Sequence, residues 1–328
     1  MPKAKIDILR ILGEDIHPGE SKEVNFDVAN LHTSTPVNVP VIIERSNKPG
    51  PVVLFTAGIH GDEVNGVEIV RQLIAKGINQ PKIGTIICMP VINVFGFINL
   101  KREFPDGRDL NRVFPGSTSG SLAGRVAHKL TYDIIPHVDL IIDFHTGGSG
   151  RFNAPQLRYT IGNAQLNDFA KVFGAPFVLY SKTLPKSFRT TCYKLGKPLL
   201  LFEGGKSFHI NDVVTNSGVN GSKRVLKQLG MLKAGFKSTK PKKDCVFINK
   251  SKWIRAKYSC MFKATVTFGS HVEKDDILGH ITDPYGKFNY FVRARNSGFI
   301  INVNESPIVY QGDALFHISL ELKTQKND

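Results

Sequence analysis

The sequence predicts an α/β protein with a doubly wound, mixed but largely parallel sheet flanked by helices, followed by a smaller all-β C-terminal domain. From about residue 50 to residue 229, apolar runs of strand length alternate with segments whose apolar residues recur at helical spacing. After about Lys233 the helical period disappears, and short strands alternate with turns. The 328 residues suffice for a full core and a second, smaller unit. We therefore place the domains at residues 1–235 and 236–328.

Composition excludes several classes of protein. No apolar run is long enough to cross a bilayer, so we expect no membrane partner. Residues 1–7 lack the apolar core of a signal peptide. The four cysteines are scattered without a Cys-x-x-Cys pair, which indicates reduced thiols in a cytoplasmic protein.

The net charge of +15 is concentrated between residues 233 and 257, where Asp244 is the only acidic residue. A nucleic-acid patch and the steering of an anionic substrate are two interpretations. We favour a third, a solvated basic segment between the domains, because the regular interleaving of aromatic residues that a single-strand binder uses is missing. Nucleic acid is therefore not an expected partner. The basic residues of this run are Lys233, Lys237, Lys240, Lys242, Lys243, Lys250, Lys252, Arg255 and Lys257.

The first strands are expected within residues 22–47. Residues 24–28 alternate apolar and polar side chains, and residues 37–43 are strand-rich but contain Pro40, which predicts an edge strand. A buried strand at residues 51–57 leads into a glycine-containing turn. Apolar residues at helical spacing follow, and another buried strand is expected at residues 85–91.

Residues 93–120 are rich in glycine, proline and charge and show no periodicity. A connection this long is usually functional or disordered, and its aromatic and aliphatic content argues against disorder. We interpret it as a loop that lines a site. Beyond it, a helix opens at Ser121 and runs to about Ile135, and a strand with a glycine turn covers residues 138–148. Helices near 164–173, 188–195 and 211–229 then alternate with strands at 177–180 and 198–205.

Ionisable residues lie at the ends of three of these buried strands. His60 and Glu63 occupy the turn after the strand at 51–57, His145 ends the next, and Glu203 ends the third. In α/β proteins, ligands bind at the carboxyl ends of parallel strands. An imidazole and a carboxylate three residues apart can face one Zn2+, and although that spacing is common by chance, the coincidence at three strand ends favours a metal site. Asp143 shares a strand face with His145, so we expect it to hold the ring of His60 or of His145.

These residues, with the loop motif Arg102…Asp109-Leu110-Asn111-Arg112, resemble the succinylglutamate desuccinylase/aspartoacylase family of zinc-dependent deacylases, a branch of the zinc carboxypeptidase fold. The resemblance covers approximately residues 20 to 320. It implies one Zn2+ per chain, bound by His60, Glu63 and His145, with an open position for water.

The resemblance also implies roles for residues around the metal. Glu203 is similar to the family's general base, and Arg102 to the arginine that stabilises the oxyanion, with Arg108 as a rival for that position. The residues that resemble the family's substrate-binding groups are Asn111, Arg112, Arg189 and Tyr310. The structural alternatives are a buried, salt-bridged carboxylate for Glu203 and loop-stabilising roles for Asn111 and Arg112. For Arg189 and Tyr310, which match the family only loosely, the alternative is a structural role.

The C-terminal segment resembles a biotinyl/lipoyl-like barrel or sandwich between residues 269 and 316. The attachment lysine flanked by methionines is replaced there by Asp283-Pro284-Tyr285-Gly286-Lys287. We therefore expect a structural or gating role for this segment rather than a swinging arm.

The leading hypothesis is a zinc-dependent amidohydrolase that cleaves an amide bond of an N-acyl amino acid or a related small acidic substrate through a metal-activated water. The alternative is a metallocarboxypeptidase-type peptidase acting on an acidic peptide tail. A non-catalytic basic binding module ranks lower, because it needs no imidazoles and carboxylates at three strand ends. The sequence leaves open the acyl group, the amine and the oligomeric state, and it is compatible with a homo-oligomer.

Overall fold

A computed structural model describes residues 8–159, 164–241 and 244–322. The N-terminal segment 1–7 and two lysines of the basic run, Lys242 and Lys243, lie outside these residues. The strands are β1 (Leu9–Ile11), β2 (Glu14–Ile16), β3 (Ser21–Asn30), β4 (Pro36–Arg45), β5 (Val52–Ala57), β6 (Thr85–Met89), β7 (Leu140–Gly147), β8 (Arg151–Tyr159), β9 (Phe177–Tyr180), β10 (Leu199–Lys206), β11 (Val246–Arg255), β12 (Cys260–Ala264), β13 (His271–Val272), β14 (Ile277–Thr282), β15 (Asn289–Arg293), β16 (Gly298–Asn304), β17 (Ile308–Val309) and β18 (Ala314–Leu322). The helices are α1 (Val64–Ala75), α2 (Val94–Asn99), α3 (Leu122–Lys129), α4 (Ala164–Phe173), α5 (Phe188–Lys194) and α6 (Asp212–Gln228), with a π-helical turn at Leu130–Ile134 and 3-10 turns at Leu110–Arg112 and Ile135–His137.

Within the described residues, the largest sheet has twelve strands in the order β13-β16-β18-β11-β9-β8-β10-β7-β5-β6-β4-β3. Its centre is parallel where β10, β7, β5 and β6 pair in turn, and β8, β9 and β11 form a second parallel group. The two groups meet at the antiparallel β8–β10 pair, and both ends of the sheet are antiparallel. The sheet is mixed and carries helices, as expected, but the prediction that it is largely parallel is wrong, because the N-terminal hairpin and the C-terminal strands extend it by antiparallel pairing.

Helices cover both faces of the central strands. Val53 and Phe55 of β5 belong to a core cluster that includes residues of α1, α4 and α6. Leu54, between them in the sequence, belongs to the cluster formed with α3 and α5. Because successive side chains of a strand point to opposite faces, this apolar run is buried on both sides of the sheet.

Several element predictions are confirmed, one is wrong, and other elements were missed. Helix α3 begins after Ser121, whose side chain caps it, and α6 is capped in the same way by Asn211. The strand β8 and the short helix α2 were not predicted from the sequence. The prediction of an edge strand at 37–43 is wrong, because β4 pairs with both β3 and β6. Pro40 is tolerated since β6 pairs with β4 only from Ile42 onward, beyond the missing N–H of the proline.

The described C-terminal residues form the expected all-β segment, but its strands divide between two sheets. Strands β11, β16 and β18 join the large sheet, where β11 pairs with β9 and β16 with β8. Strands β12, β14, β15 and β17 form a four-stranded sheet. A separate core cluster, which includes Phe262, Leu278 and Phe316, lies between these strands. The boundary between residues 235 and 236 stays a prediction.

No helix in the described part of the chain combines the length and the apolar character that a membrane crossing needs.

The packing of α1 against β7 generates a test of the fold. A Cβ atom added at Gly66 would lie 2.6 Å from the backbone oxygen of Phe144. We expect Gly66→Ala to lower the free energy of unfolding by about 1–3 kcal/mol, because β7 is held between two parallel neighbours and cannot yield. Urea denaturation measures this change. Gly235→Ala, whose Cβ atom would meet nothing within 4 Å, is the control, and equal stability of the two variants would contradict the prediction.

Candidate metal centre and active site

Three adjacent parallel strands place the ionisable residues at one edge of the sheet. The loop after β5 carries His60, and Glu63 is the N-cap residue of α1. Strand β7 carries His145, and Glu203 of β10 lies directly opposite it in the parallel pairing. The β5 loop packs against α2 so closely that a Cβ atom at Gly61 would overlap the backbone of Gly96, so the turn requires glycine there.

The Glu63 carboxylate lies between two imidazoles. Its Oε1 is 2.7 Å from Nδ1 of His60, and its Oε2 is 2.9 Å from Nδ1 of His145. The two rings meet edge to face with centroids 5.2 Å apart. The backbone N–H of Thr146 donates a further hydrogen bond to Oε2 at 3.0 Å. All three side chains are buried, so the convergence expected from the sequence is present.

The outward nitrogen of each imidazole contacts another carboxylate. Nε2 of His145 lies 2.9 Å from Asp143, and Nε2 of His60 lies 3.1 Å from Asp109. The contact expected between Asp143 and a histidine ring is therefore confirmed, with His145. Asp143 in turn accepts a hydrogen bond from the Thr56 hydroxyl at 2.8 Å. These outer carboxylates orient both rings so that each Nδ1 points toward the centre.

The charges at this centre are strongly coupled. Burial raises the pKa of Glu63, but the two histidines outweigh it and hold the pKa well below its usual range. Burial lowers the pKa of His145, but the charges of Asp143 and Glu63 outweigh it and raise the pKa well above its usual value. The pKa of His60 is also raised, since Glu63 and Asp109 outweigh the effect of burial. The imidazoles therefore favour protonation beside Glu63, and a metal ion would compete with those protons for the same nitrogen atoms.

These residues fit a metal ion. One ligand atom from each of His60, Glu63 and His145 lies within 4.8 Å of the others. Two imidazole nitrogens and one carboxylate oxygen form a ligand set of catalytic zinc, which keeps a fourth position open. The Nδ1–carboxylate distances place electron-pair donors face to face, an arrangement that needs a proton or a cation between them.

Arg102, rather than its rival Arg108, faces the metal centre. Its Nη1 donates to Glu63 at 3.3 Å, and its Nη2 donates to Asp109 at 3.0 Å. Arg108 instead lies 3.7 Å from Asp106, with its side chain 57% exposed. Asp109 thus connects Arg102 to His60. The sequence motif contained Asp109, but no role was assigned to it, because only the fold brings it beside the ring.

A cleft of about 320 Å³ opens at this centre. Glu203 lines it, and Oε2 of Glu203 accepts a hydrogen bond from Nδ2 of Asn153 at 2.6 Å. Arg158 forms an ion pair with the same carboxylate, Nε to Oε1 at 3.1 Å, and its Nη2 donates to Oε2 at 3.3 Å. Glu203 is therefore both salt-bridged, as the structural alternative expected, and exposed to the cleft, as a general base requires.

The residues expected to bind substrate differ in their placement. Asn111, Arg112 and Arg189 line the cleft. The Asn111 side-chain oxygen accepts from the Phe188 N–H at 2.8 Å, so part of this side chain also stabilises the loop. Burial and the Arg158 cation lower the pKa of Arg189 to about 10.

Tyr310 lies elsewhere. The residue is 71% exposed, lies in the turn between β17 and β18, and is not among the residues that line the cleft. The expected role of Tyr310 in substrate binding has no support in this structure.

Sequence reasoning missed the residues that β8, β11 and β16 contribute to the cleft. Arg151, Asn153 and Arg158 come from β8, Trp253 from β11 and Asn302 from β16. Trp253 stacks on His317 with ring centroids 4.4 Å apart and is the only tryptophan of the chain. A single tryptophan in a polar, basic segment was a signal that could have been used.

A model of the succinylglutamate desuccinylase/aspartoacylase catalytic domain matches residues 49–229, which is more than half of the chain and contains all three metal-ligand candidates. The chain belongs to this family.

Among curated proteins, the chain is similar to the N-alpha-acetyl-L-2,4-diaminobutyric acid deacetylase of Halomonas elongata, at 25% identity over 261 residues, or 75% of each chain. Among solved structures, it is similar to the product-bound ectoine utilization protein EutE (DoeB) from Ruegeria pomeroyi, with TM-score 0.83 and 22% identity over 97% of this chain and 100% of the other. It is also similar to the succinylglutamatedesuccinylase/aspartoacylase from Rhodobacter sphaeroides, with TM-score 0.79 and 24% identity over 92% and 95%. The structural likenesses show that the fold extends over nearly the whole chain, including its C-terminal strands.

The contact between Asp143 and His145 generates a prediction about metal affinity. We expect Asp143→Ala to weaken zinc binding about 10- to 100-fold, because the ring of His145 loses the carboxylate that orients it. Competition with a chromophoric chelator measures the affinity. Asp139→Ala is the control, since Asp139 accepts a bond from the Val52 N–H at the start of the strand and is remote from the rings. Unchanged zinc affinity in Asp143→Ala would refute the expected role.

The stack of Trp253 on His317 predicts a pH dependence of stability. Burial and the Arg158 cation lower the pKa of His317 to about 3. The pKa of this imidazole in the unfolded chain is about 6.5. Below that pH the imidazole is protonated in the unfolded chain but stays neutral in the folded protein. The stabilising contribution is present above pH ~6.5 and is lost as the pH falls toward ~3, by up to about 1.4 kcal/mol per pH unit.

We therefore expect His317→Phe to lose less stability than the parent protein between pH ~7 and ~4. Phenylalanine keeps an aromatic partner for Trp253. Urea unfolding followed by tryptophan fluorescence measures the difference, with replacement of the exposed His32 by phenylalanine as the control. Parallel pH curves for His317→Phe and the parent would contradict the prediction.

Proposed function

We propose that the protein is a zinc-dependent hydrolase that cleaves an amide bond of an N-acyl amino acid or a related small acidic substrate. The observation that carries this proposal is the placement of Glu203, with a hydrogen-bonded carboxylate, in the same cleft as the convergent His60, Glu63 and His145. Family membership supports amide hydrolysis, and the donor set supports zinc.

Zinc bound there would polarise the scissile carbonyl and lower the pKa of a water molecule to about 7. Glu203 takes the proton of the attacking water and passes it to the leaving amine. Nδ2 of Asn153 and Nη2 of Arg158 both donate to Oε2 of Glu203, and the Arg158 guanidinium also forms an ion pair with Oε1, so the two residues hold the carboxylate toward the cleft. Arg102, at the rim of the metal centre, donates to the oxyanion that develops on the attacked carbonyl.

The charges of the cleft support an acidic substrate. Three guanidinium groups that line it, those of Arg112, Arg151 and Arg189, have no ion pair with a carboxylate among the described residues. A guanidinium fork suits a carboxylate, so one of these groups would bind the substrate's anionic end. The relative from Halomonas elongata deacetylates N-alpha-acetyl-L-2,4-diaminobutyric acid, which supports an N-acyl amino acid as the substrate class.

The volume of the cleft bears on the alternative functions. About 320 Å³ suits a small N-acyl amino acid and favours it over an acidic peptide tail. A non-catalytic basic binding module gains no support, because it leaves the buried metal-ligand set and Glu203 without a purpose. The cytoplasmic location and any oligomeric assembly remain expectations from the sequence.

The general-base role predicts the behaviour of a conservative variant. We expect Glu203→Gln to keep its zinc and to lose hydrolysis by about 100-fold or more, because the amide cannot accept the proton of water. The measurements are metal content by elemental analysis and turnover of N-acetyl, N-succinyl and glutamyl substrates, with zinc and with chelator. Glu305→Gln removes an exposed carboxylate that pairs with Lys206 and is the control. Wild-type turnover by Glu203→Gln would refute the assignment.

A further inference from the structure

A chain of two amide hydrogen bonds connects the C-terminal segment to Glu203. Nδ2 of Asn302 on β16 donates to Oδ1 of Asn153 on β8 at 2.7 Å. Nδ2 of Asn153 donates to Oε2 of Glu203 at 2.6 Å. Both asparagines are almost fully buried, with exposures of 2% and 3%, and they lie opposite each other in the β16–β8 pairing. The connection therefore crosses two strands and 149 residues of sequence.

Glu203 determines the donor-to-acceptor direction of these two hydrogen bonds. A carboxylate only accepts hydrogen bonds, so Asn153 must turn its NH2 group toward Glu203. Its oxygen then faces Asn302, which in turn must present its own NH2 group. If Asn302 donated nothing, Asn153 would lose the contact that keeps its amide in this orientation. The amide would then be held only by Glu203 and could swing away from the carboxylate, which lengthens or breaks the bond from Nδ2 to Oε2.

Asn302 differs in its hydrogen bonds from Asn304, the asparagine two residues later that ends the same strand. Asn304 is bonded at both ends, donating to the Ala314 carbonyl oxygen and accepting from the Ser306 N–H, each at 2.9 Å. Asn302 donates to Asn153, but its Oδ1 is buried without a partner among the described residues. An asparagine with a purely structural role would pair both its side-chain NH2 group and its side-chain oxygen, as Asn304 does. Asn302 pairs only its NH2 group, the group that donates to Asn153.

We propose that Asn302 is a positioning residue for the general base. Through Asn153 it sets the direction of the Glu203 carboxylate, so the C-terminal β segment takes part in the reaction without touching the substrate's reacting atoms. The inference rests on the proposed function of Glu203. Arg158 contacts both oxygens of Glu203, Nε to Oε1 at 3.1 Å and Nη2 to Oε2 at 3.3 Å, so the loss of Asn302 leaves the carboxylate charged and paired but weakens the shorter bond to Oε2, the one from Asn153.

An isosteric substitution tests this proposal. In Asn302→Asp the new side chain has the same size, but its ionised form cannot donate to Asn153 and instead attracts the Asn153 NH2 group away from Glu203. We expect kcat to fall on the order of tenfold with little change in KM, since one hydrogen bond to a charged group is lost. At lower pH the introduced carboxyl becomes protonated and can donate as asparagine does. The ratio of variant to wild-type kcat should therefore rise as the pH falls.

Two further variants complete the series. Asn302→Ala should lose a similar factor in kcat, but its ratio to wild type should not depend on pH, because alanine cannot regain a donor. Asn304→Asp is the matched control, since it places the same carboxylate on the same buried strand without a contact to Glu203. Quenching of the single tryptophan, Trp253, by a non-hydrolysable substrate analogue reports whether each variant still binds.

The outcomes separate this inference from the proposed function. Full kcat in Asn302→Asp beside an inactive Glu203→Gln would overturn the inference alone, and so would an equal loss in Asn304→Asp. Wild-type activity in Glu203→Gln would overturn both. A crystal structure of Asn302→Asp tests the proposal independently of a turnover measurement. We expect the amide of Asn153 to be rotated away from Glu203, and an unchanged 2.6 Å contact would contradict the proposal.

Discussion

The position of one buried carboxylate determines most of this site. Glu63 lies between the imidazoles of His60 and His145, so its two oxygens bring together a turn after β5 and the end of β7. A buried carboxylate is costly unless it is paired and hydrogen-bonded on all sides. The two rings, the N–H of Thr146 and the guanidinium of Arg102 meet that requirement here.

The residues that surround Glu63 and the two histidines are also paired charge to charge. Each imidazole sits between Glu63 and a second carboxylate, Asp109 or Asp143, and these are bonded to Arg102 and to Thr56. Alternating cationic and anionic groups allow several charges to be buried in a small volume. The same arrangement orients both rings toward the candidate metal site. The long loop after β6 is thus held at the centre by its charges, through Arg102 and Asp109.

The C-terminal segment extends this organisation to the other wall of the cleft. Its strands join the large sheet next to β8 and β9, and they contribute Trp253 and Asn302 to the cleft. A separate β domain docked loosely on the catalytic part could not place an amide 2.7 Å from Asn153. The absence of an attachment lysine agrees with a segment that supports the site. Hydrogen-bonded continuity of the sheet is what makes that support rigid.

The amino-acid sequence by itself determined the elements of the α/β core, with β9 and α6 at the expected places, and the set His60, Glu63, His145 and Glu203. This was possible because apolar periodicity and strand-end motifs are local properties of the chain. The antiparallel pairing at both ends of the sheet, the position of Arg102 rather than Arg108 at the metal centre, and the place of Tyr310 outside the cleft lining were decided by the tertiary structure. The contacts of Asn153 and Asn302 were also decided there, because no sequence motif predicts them. Each of these depends on which distant strands become neighbours, and hydrogen-bond partners across a sheet leave no pattern within either strand.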